Sequence, residues 1–339
     1  MIIKPRQPSL ELLQLEALEP RFPLKHLNYL YFTKDIGMAR SGYRGEESIN
    51  YYLQTIARSK SDFLFHHLRL PAEGSYFQID TLIVTPSYLL IIEIKNLGGS
   101  SLTFNGQTNQ VKQTFPDGRV EMRDDPLLQA RRQRRKLQLF LKNIHFPPVP
   151  IEYLAVLSNK NPEITFSPDY QEKDRVIRST HLDFSVLELD AKYPNPILLP
   201  HEIHYLNEQL LHFHTELRVD IFKKYELTRK DIITGVRCSN CGTSIMKRRK
   251  RSWFCFTCHY ASNHTSLIVD TLRDYSLLVS PKISHQEFRW FFNIESSQLA
   301  SALLKRLNLP REGTGRGMRY LLSELVDREG WVGSTLHKS

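Results

Sequence analysis

The sequence lacks any hydrophobic run that approaches the roughly 18 residues a membrane-spanning helix needs. Its first residues, MIIKPRQPSLELLQ, also lack an apolar segment followed by a small-residue cleavage site, so they do not resemble a secretory signal peptide. These two absences argue against an integral membrane protein and against a secreted one. We therefore expect a cytoplasmic protein.

Cysteine is scarce, and the four cysteines of the chain all lie in one short window. Cys238-x2-Cys241 is followed after thirteen residues by Cys255-x2-Cys258. Two such pairs predict a four-thiolate zinc ribbon, whose metal supplies folding energy that so small a module cannot obtain from burial. Disulfides or buried free thiols are the alternatives. Four thiolates leave no open coordination position, so we expect structural zinc.

Positive charge is in excess, with a formal net charge of +10 over 339 residues. This length suggests two or three units, and the charge makes a polyanion a plausible partner. Charge runs are usually solvated faces, but two dense blocks favour contact with phosphates. The residues predicted to bind nucleic acid are Arg131, Arg132, Arg135, Lys247, Arg248, Arg249, Lys250 and Arg251.

Residues 77–96 predict a β-hairpin at the centre of the chain's chemistry. Two apolar, β-branched runs, 77–84 and 89–94, flank the break Thr85-Pro86-Ser87. The polar residues within these runs and just after them are Gln78, Asp80, Glu93 and Lys95. With an even-numbered loop, Asp80 lies opposite Glu93 and Gln78 lies opposite Lys95.

Two carboxylates directly opposite each other destabilise a sheet unless something lies between them. A divalent cation such as Mg²⁺, which binds carboxylate oxygens, is the obvious candidate at Asp80 and Glu93. Lys95 would lie beside that cation, where it could stabilise developing negative charge or hold a nucleophilic water. The alternative is an ordinary solvated hairpin. The complete set D-x12-E-x-K inside two apolar strands favours the metal site.

These residues resemble a known family. Asp80 with Glu93-Ile94-Lys95 is similar to the core of the PD-(D/E)XK nuclease superfamily. The motifs that resemble its nuclease-related domain (NERD) family are Gly42-x-x-Gly45-Glu46, Gln78-Ile79-Asp80, Glu93-Ile94-Lys95-Asn96 and Asp125-Pro126-x-x-Gln129. The likeness runs to about residue 145 and continues more weakly to the strand near Ala155. Ile79 replaces the proline of the superfamily name, as the NERD pattern itself does.

The resemblance implies a restriction-endonuclease-like α/β core, with a mixed central sheet flanked by helices, that hydrolyses DNA with Mg²⁺ or Mn²⁺. It implies Glu46 as a third acidic metal ligand beside Asp80 and Glu93, with the backbone carbonyl of Ile94 as a further ligand. Gln78 and Gln129 would support catalysis by Lys95. Without the resemblance, Glu46 reads as a carboxylate near the N-terminus of a helix that starts at Tyr43, and Gln129 as a helix-end amide.

The patterning predicts five segments along the chain. They are an irregular arm over 1–40 with one helix at Leu10–Leu18, a nuclease core over 41–160, a helical extension or linker over 161–232, a zinc ribbon over 233–265 and a helix-turn-helix-like module over 280–335. Within the core we expect strands at 63–70, 101–104, 111–115 and 151–157, and a helix that opens at Asp125-Pro126. His66 and His67 are adjacent, so we expect their side chains on opposite faces of a strand.

The C-terminal modules are expected to contact nucleic acid. Trp253, Phe254 and Phe256 follow the second basic block and would suit base stacking, or would instead pack around the zinc. Helices over 285–292 and 296–307, followed by GTGRGMRYLL, resemble a winged helix-turn-helix, in which the second helix enters the major groove. A small helical bundle is the alternative.

Two classes of function follow. The first is a metal-dependent nuclease acting on DNA; the resemblance implies repair, recombination or mobile-element processing, and an RNA substrate remains open. The second is a non-catalytic DNA-binding protein that keeps a nuclease-like scaffold. The complete set of Asp80, Glu93 and Lys95 favours the enzyme, since a protein that only binds DNA need not retain it.

Overall fold

A computed structural model of the chain describes residues 1–56, 62–242, 244–323 and 325. Within the segments predicted from the sequence, residues 57–61 of the nuclease core, Thr243 of the zinc ribbon, and 324 and 326–335 of the C-terminal module lie outside this range. The chain forms two compact units. The first comprises Met1–Ser9 and Gly37–Leu217, and the second comprises Leu10–Ile36 and the chain from Arg218 onward.

The helices of the described residues, in chain order, are α1 (Leu10–Leu18), α2 (Tyr29–Ser48), α3 (Asn50–Ile56), α4 (Pro126–Asn143), α5 (Leu182–Lys192), α6 (Pro200–Phe213), α7 (Ile221–Lys224), α8 (Thr265–Leu278), α9 (His285–Phe292) and α10 (Ser297–Leu307). None of them is both long enough and apolar enough to cross a membrane.

The strands of the first unit are β1 (Ile2–Lys4), β2 (Phe63–Ala72), β3 (Ser75–Val84), β4 (Leu89–Lys95), β5 (Ser101–Asn105), β6 (Gln110–Thr114), β7 (Val120–Asp124), β8 (Ile151–Leu157), β9 (Glu163–Phe166) and β10 (Val176–Arg178). Those of the second are β11 (Val236–Arg237), β12 (Ile245–Arg249), β13 (Ser252–Phe254), β14 (Ala261–Ser262), β15 (Lys282–Ile283), β16 (Arg311–Glu312) and β17 (Arg319–Leu321).

A mixed sheet in the order β1-β2-β3-β4-β8-β10 forms the centre of the first unit. Strands β2, β3 and β4 are antiparallel, whereas β1 is parallel to β2, and β8 is parallel to both β4 and β10. The predicted hairpin register is confirmed from Thr81↔Ile92 to Val84↔Leu89. Thr85 closes the turn, since its Oγ1 accepts a hydrogen bond from the Tyr88 backbone N at 2.9 Å.

Helices cover both faces of this sheet, which confirms the α/β class predicted from the sequence. Side chains alternate along β4, so Leu89 and Ile91 pack in a core with α4 and α6, while Leu90 and Ile92 pack in a second core with α3 and α5. Glu93 follows Ile91 at the same spacing, toward α4. The alternation of one apolar strand thus places a carboxylate inside the core.

A second sheet of the first unit has the order β7-β6-β5-β9. Strands β5 and β6 were expected from the sequence, and β7 and β9 were not. Residues 161–217 were predicted only as part of a helical extension or linker, and they contain β10 and α5 beside helix α6. Their short and irregular apolar patterns carry little periodic signal, so these elements are recognised only once their partners in the sheet are in place.

Helix α2 corrects the prediction for the start of the chain. The sequence predicted an irregular arm to residue 40 and a helix beginning at Tyr43, whereas α2 runs from Tyr29 to Ser48. Proline breaks the chain at 5, 8, 20 and 23 and does not recur before residue 71, so nothing interrupts a helix after residue 28. Glycines 37, 42 and 45 therefore lie inside the helix and do not mark its beginning.

The second unit contains two small modules beside α1 and α8. Strands β11-β12-β13-β14 form the sheet that carries the cysteines. From α8 onward the order is helix, strand, helix, helix, strand, loop, strand, with β15, β17 and β16 in one sheet. This is the order of elements in a winged helix-turn-helix. Ser296 caps α10 by accepting from the Leu299 backbone N, and residues 313–318 form the loop between β16 and β17.

Candidate active site and zinc centre

The open end of the β3–β4 hairpin brings the predicted acidic residues together. Backbone pairing ends at Thr81↔Ile92, and the Asp80 side chain extends it, because Oδ2 accepts a hydrogen bond from the Ile94 backbone N at 2.9 Å. Gln78 pairs with Arg69 of β2 and is exposed, so it does not oppose Lys95 as expected. The strands diverge beyond Asp80, which prevents that pairing.

Glu93 is fully buried and binds two side chains. Its Oε1 lies 2.7 Å from Lys95 Nζ, and its Oε2 accepts from Gln133 Nε2 at 2.7 Å. Burial first, and then the charge of Asp80, raise the pKa of Glu93 to about 8. The sequence of α4 carries the signal for this role, because Gln133 is the one polar residue in a stripe of helical spacing formed by Ala130, Leu137, Phe140, Leu141 and Ile144.

The pKa values of Asp80 and Lys95 are both raised, as expected where carboxylates outnumber the cations around them. Burial first, and then the charge of Glu46, raise the pKa of Asp80. Burial would lower the pKa of Lys95, but the charges of Glu93 and Asp80 outweigh it and raise that pKa. Three carboxylates and one ammonium therefore lie within electrostatic reach of one another, with a surplus of negative charge.

Glu46 reaches this cluster from the last turn of α2, not from a helix N-terminus as predicted. Close packing sets its position. A Cβ on Gly45 would lie 2.5 Å from Asn96 Cβ and 2.8 Å from Ser158 Oγ, and Asn96 Nδ2 donates to the Ser41 carbonyl at 2.9 Å. Gly45 and Asn96 thus join the end of α2 to the end of β4.

Two basic side chains bind Glu46. Arg6 Nη1 donates to Oε2 at 2.6 Å, and His67 Nε2 lies 2.7 Å from the same oxygen. His67 has a left-handed φ of 52° within β2, which interrupts the alternation of that strand. Both adjacent histidines consequently reach the Arg6–Glu46 pair, contrary to the expectation that they point to opposite faces. No pattern in the sequence predicted a role for Arg6.

A cavity of about 370 Å³ adjoins the buried Glu93–Gln133 contact. Its lining includes Gln78, Gln129, Gln133, Arg132, Arg135 and Lys136. A second cavity shares Gln129 and Arg132 with it and continues toward β6 and β7. Gln129 therefore lies on the wall of this cleft, while Gln133, one turn further along α4, makes the contact with Glu93.

The first basic block divides between two faces of α4. Arg132 and Arg135 line the cavity, whereas Arg131 Nη2 binds Glu172 and the Arg134 guanidinium lies 5.5 Å from the centroid of the Tyr153 ring. Arg131 was predicted to contact nucleic acid, and its pairing with Glu172 leaves it less suited to that role than its neighbours. The two faces follow from helical spacing.

The four cysteines form a geometry that fits zinc. Cys238 Sγ lies 3.6 Å from Cys258 Sγ, and Cys241 Sγ lies 3.8 Å from Cys255 Sγ. A tetrahedral site with Zn–S bonds of about 2.3 Å requires S···S distances of about 3.8 Å. The sulfurs are unbonded to one another, so the disulfide alternative is excluded.

Within the described residues, these cysteines are the one group of three or more His, Cys, Asp or Glu side chains whose ligand atoms all lie within 4.8 Å of one another. Two tight turns produce it. Gly242 follows the first pair with φ 72°, and His259 follows the second with φ 60°. Glu46, Asp80 and Glu93 are not gathered to the same degree.

The second basic block lies on β12 and the turn after it. Arg249 stacks at 4.7 Å on the ring centroid of Phe254 and at 4.9 Å on that of Phe256, which is 52% exposed. Trp253 faces the other way and is buried, so it is not available for base stacking. Exposed aromatic and basic side chains therefore share one face of the ribbon.

Residues 41–158, about a third of the chain, match the family model of the nuclease-related domain. This segment is thus a nuclease-related domain with a nuclease-like fold, and a four-cysteine site of zinc-ribbon geometry follows it in the chain. The match contains the end of α2, the hairpin, Gln129 and Gln133. Searches of curated proteins and of solved structures found no match for the chain.

Proposed function

We propose that this protein is a divalent-metal-dependent nuclease that hydrolyses phosphodiester bonds in DNA. The pair of the half-buried Asp80 and the buried Glu93 in a nuclease-related domain carries the proposal. Burial first, and then a neighbouring carboxylate, raise the pKa of each carboxyl group, so an added cation would stabilise their ionised forms, although Lys95 already binds Glu93. Hard carboxylate oxygens in such surroundings suit Mg²⁺ or Mn²⁺.

Asp80 and Glu93 would hold the metal, with Glu46 as the third carboxylate of the site and the Ile94 carbonyl as a further ligand. Mg²⁺ bound there would polarise the phosphate and lower the pKa of a bound water. Gln133 holds Oε2 of Glu93 and so fixes the direction of Oε1. Zinc at the cysteines would be structural, because four thiolates leave no position for a substrate.

Lys95 has the role of a charge stabiliser in this proposal. The negative charges of Glu93 and Asp80 raise its pKa, so it keeps its proton at neutral pH. A protonated ammonium cannot accept the proton of an attacking water, but it can hold that water or a phosphate oxygen. We therefore assign Lys95 to positioning the water and to stabilising negative charge on the phosphate.

The first test is cleavage of supercoiled plasmid, linear double- and single-stranded DNA and single-stranded RNA with Mg²⁺ or Mn²⁺. We expect Asp80→Asn and Lys95→Ala to lower the rate by at least about 10³-fold, since both act on the reacting phosphate. Asp117→Asn, an exposed acid in a turn, is the control. No cleavage by the wild type would contradict the nuclease proposal, and undiminished cleavage by Asp80→Asn would place the chemistry elsewhere.

The arginines of α4 provide a second test within one helix. Arg132→Ala/Arg135→Ala should weaken DNA binding about tenfold and lower the salt dependence by about two released ions, because these side chains line the cleft. Arg131→Ala/Arg134→Ala removes the same charge from the other face and should change binding much less. Equal effects of the two pairs in fluorescence anisotropy would mean that the cleft is not the path of the strand.

The alternative is a DNA-binding protein without catalysis. The pairing of Glu93 with Lys95 and of Glu46 with Arg6 and His67 favours it, because side chains of the protein already compensate part of the acidic charge. The zinc ribbon and the C-terminal module with the winged-helix order of elements would then bind the DNA. Salt-sensitive DNA binding that Asp80→Asn retains, without cleavage by the wild type, is the result expected of this function.

A further inference from the structure

Arg6 is a buried cation that comes from outside the matched domain. It follows the short edge strand β1, and its side chain is 2% exposed. Its Nη1 donates to Glu46 at 2.6 Å, its Nε to Asn50 Oδ1 at 2.9 Å and its Nη2 to Thr81 Oγ1 at 2.9 Å. Nη2 also lies 3.0 Å from His66 Nδ1.

These partners belong to four elements of the first unit. Glu46 lies on α2, Asn50 on α3, Thr81 on β3 and His66 on β2. Thr81 is the residue next to Asp80, so one guanidinium connects the helix that carries Glu46 with the strand that carries Asp80. The planar fork of arginine can make these contacts together, whereas the single ammonium of lysine cannot.

Glu46 requires such a partner because of its position. The last turn of a helix is where the macrodipole disfavours a carboxylate. Its negative charge also acts on the half-buried Asp80, whose pKa it raises. Without a buried cation, Glu46 would be repelled by the helix end and by the nearby acid, and it could turn outward.

The geometry points to Arg6 as a positioning residue of the carboxylate site: it holds Oε2 of Glu46 so that the rest of the carboxylate faces Asp80. This inference rests on the proposed nuclease function. It extends the working site beyond residues 41–158 to the strand at the start of the chain. His67 Nε2 lies 2.7 Å from the same oxygen of Glu46. The left-handed backbone conformation of His67 brings its side chain to the Arg6–Glu46 pair.

The test uses full-length, zinc-loaded protein with Arg6→Gln, Arg6→Lys, Glu46→Gln and the double variant Arg6→Gln/Glu46→Gln. Arg44→Gln is the matched control, since Arg44 is an exposed arginine on α2, the helix that carries Glu46. We expect Arg6→Gln to lower kcat by about 30- to 100-fold with KM for DNA changed by less than about threefold, because a misplaced group impairs the reaction more than binding. Arg6→Lys should restore part of kcat.

The double variant separates positioning from a general loss of structure. If Arg6 acts through Glu46, adding Arg6→Gln to Glu46→Gln should lower kcat by less than about threefold further. The double variant removes both partners of the ion pair, so it should keep the stability that Arg6→Gln alone would lose. Effects on kcat that multiply independently would overturn the inference, as would Arg6→Gln activity equal to that of Arg44→Gln.

Mn²⁺ binding, measured from the free-Mn²⁺ EPR signal, supplies a readout that does not depend on cleavage. Arg6→Gln and Glu46→Gln should each weaken binding at least about fivefold, since both disturb the same carboxylate. Tighter binding in Arg6→Gln would overturn the positioning role and show that the arginine competes with the metal. If the wild type binds Mn²⁺ and cleaves DNA and Arg6→Gln does both equally well, only this inference is rejected. If the wild type neither binds Mn²⁺ nor cleaves DNA, the nuclease proposal is rejected as well.

Discussion

The cysteine site and the carboxylate site differ in how their charges are compensated. The four sulfurs lie close to the separations of a zinc tetrahedron, and a metal is the partner they fit. Two of the three carboxylates instead contact a basic side chain of the protein, Lys95 for Glu93 and Arg6 for Glu46. A structural metal site is thus closed and complete, while the proposed catalytic site shares its acids with internal cations and would bind its metal weakly.

The origin of the ligands differs in the same way. Each cysteine pair lies in one tight turn, so local backbone geometry places its sulfurs. Glu46, Asp80 and Glu93 come from a helix and two strands, and their approach depends on how α2 packs against β4. Local geometry is robust to distant changes, whereas an assembled site is sensitive to every contact that holds its elements.

Removal of one thiolate should give the largest effect. Cys255→Ser should release zinc and unfold the ribbon, since a structural zinc of this kind contributes on the order of 10 kcal/mol to folding. Thr257→Ala, an exposed change in the same turn, is the control. Zinc content by mass spectrometry and ribbon order by hydrogen exchange measure the outcome, and full zinc occupancy in Cys255→Ser would contradict the four-thiolate assignment.

The free energy of unfolding should depend on pH because of the carboxylate site, and Glu93 should be the residue responsible. The pKa of Glu93 is raised to about 8 from its ordinary value of 4.5. A raised folded-state pKa gives stability that is complete below the unfolded pKa and is lost as pH rises through about 8. Without divalent metal, the wild type should lose more than about 1 kcal/mol of unfolding free energy between pH 5 and pH 9 relative to Glu93→Gln.

Chemical denaturation at several pH values, in EDTA-free buffer passed over a magnesium chelator, measures this difference. Saturating Mg²⁺ should remove most of the loss at high pH in the wild type and little in Glu93→Gln. Stability curves that run parallel at all pH values would mean that Glu93 does not titrate as a buried acid.

A pair of glycine substitutions should show how far the carboxylate site depends on packing. Gly45→Ala forces Asn96 to move, because the new Cβ would lie 2.5 Å from Asn96 Cβ, and should cost about 1–3 kcal/mol. Gly42 lies on the same helix, and a Cβ added there would have no neighbouring atom within 4 Å. Gly42→Ala should therefore raise the free energy of unfolding by about 0.5–1 kcal/mol through helix propensity. Equal thermal shifts for the two variants would contradict the close approach of α2 and β4.

Sequence reasoning succeeds where the determining contacts are local. The hairpin register, the two cysteine turns and α9 each follow from residues close together in the chain. Gln133 was visible as a polar residue in an apolar stripe, although its partner was not. The alternation and spacing of side chains are sufficient for such features.

The parts that escaped prediction depend on distant contacts. Arg6 binds residues 40, 44, 60 and 75 positions away, and no local pattern connects them. The extent of α2 was missed because glycine weakens a helix signal, while the close approach of Asn96 that requires Gly45 exists only in the folded protein. The short strands of residues 161–217 are recognised by their neighbours in the sheets.

The division of the chain into interleaved units has a consequence for protein synthesis. Helix α1 belongs to the second unit and binds α8: Gln14 Nε2 donates to the Leu277 carbonyl at 2.9 Å, across 263 positions of sequence. At cellular rates of translation, α1 leaves the ribosome on the order of tens of seconds before α8 exists. During that interval its apolar side chains lack their native partner α8, whereas the whole first unit has been made by residue 217. A chain truncated at residue 217 would keep the nuclease-related domain but would carry an α1 without α8, and its exposed apolar side chains would promote aggregation. Deleting residues 10–36 would remove that helix. The same deletion would cut the chain between the domain and the segment that holds β1 and Arg6.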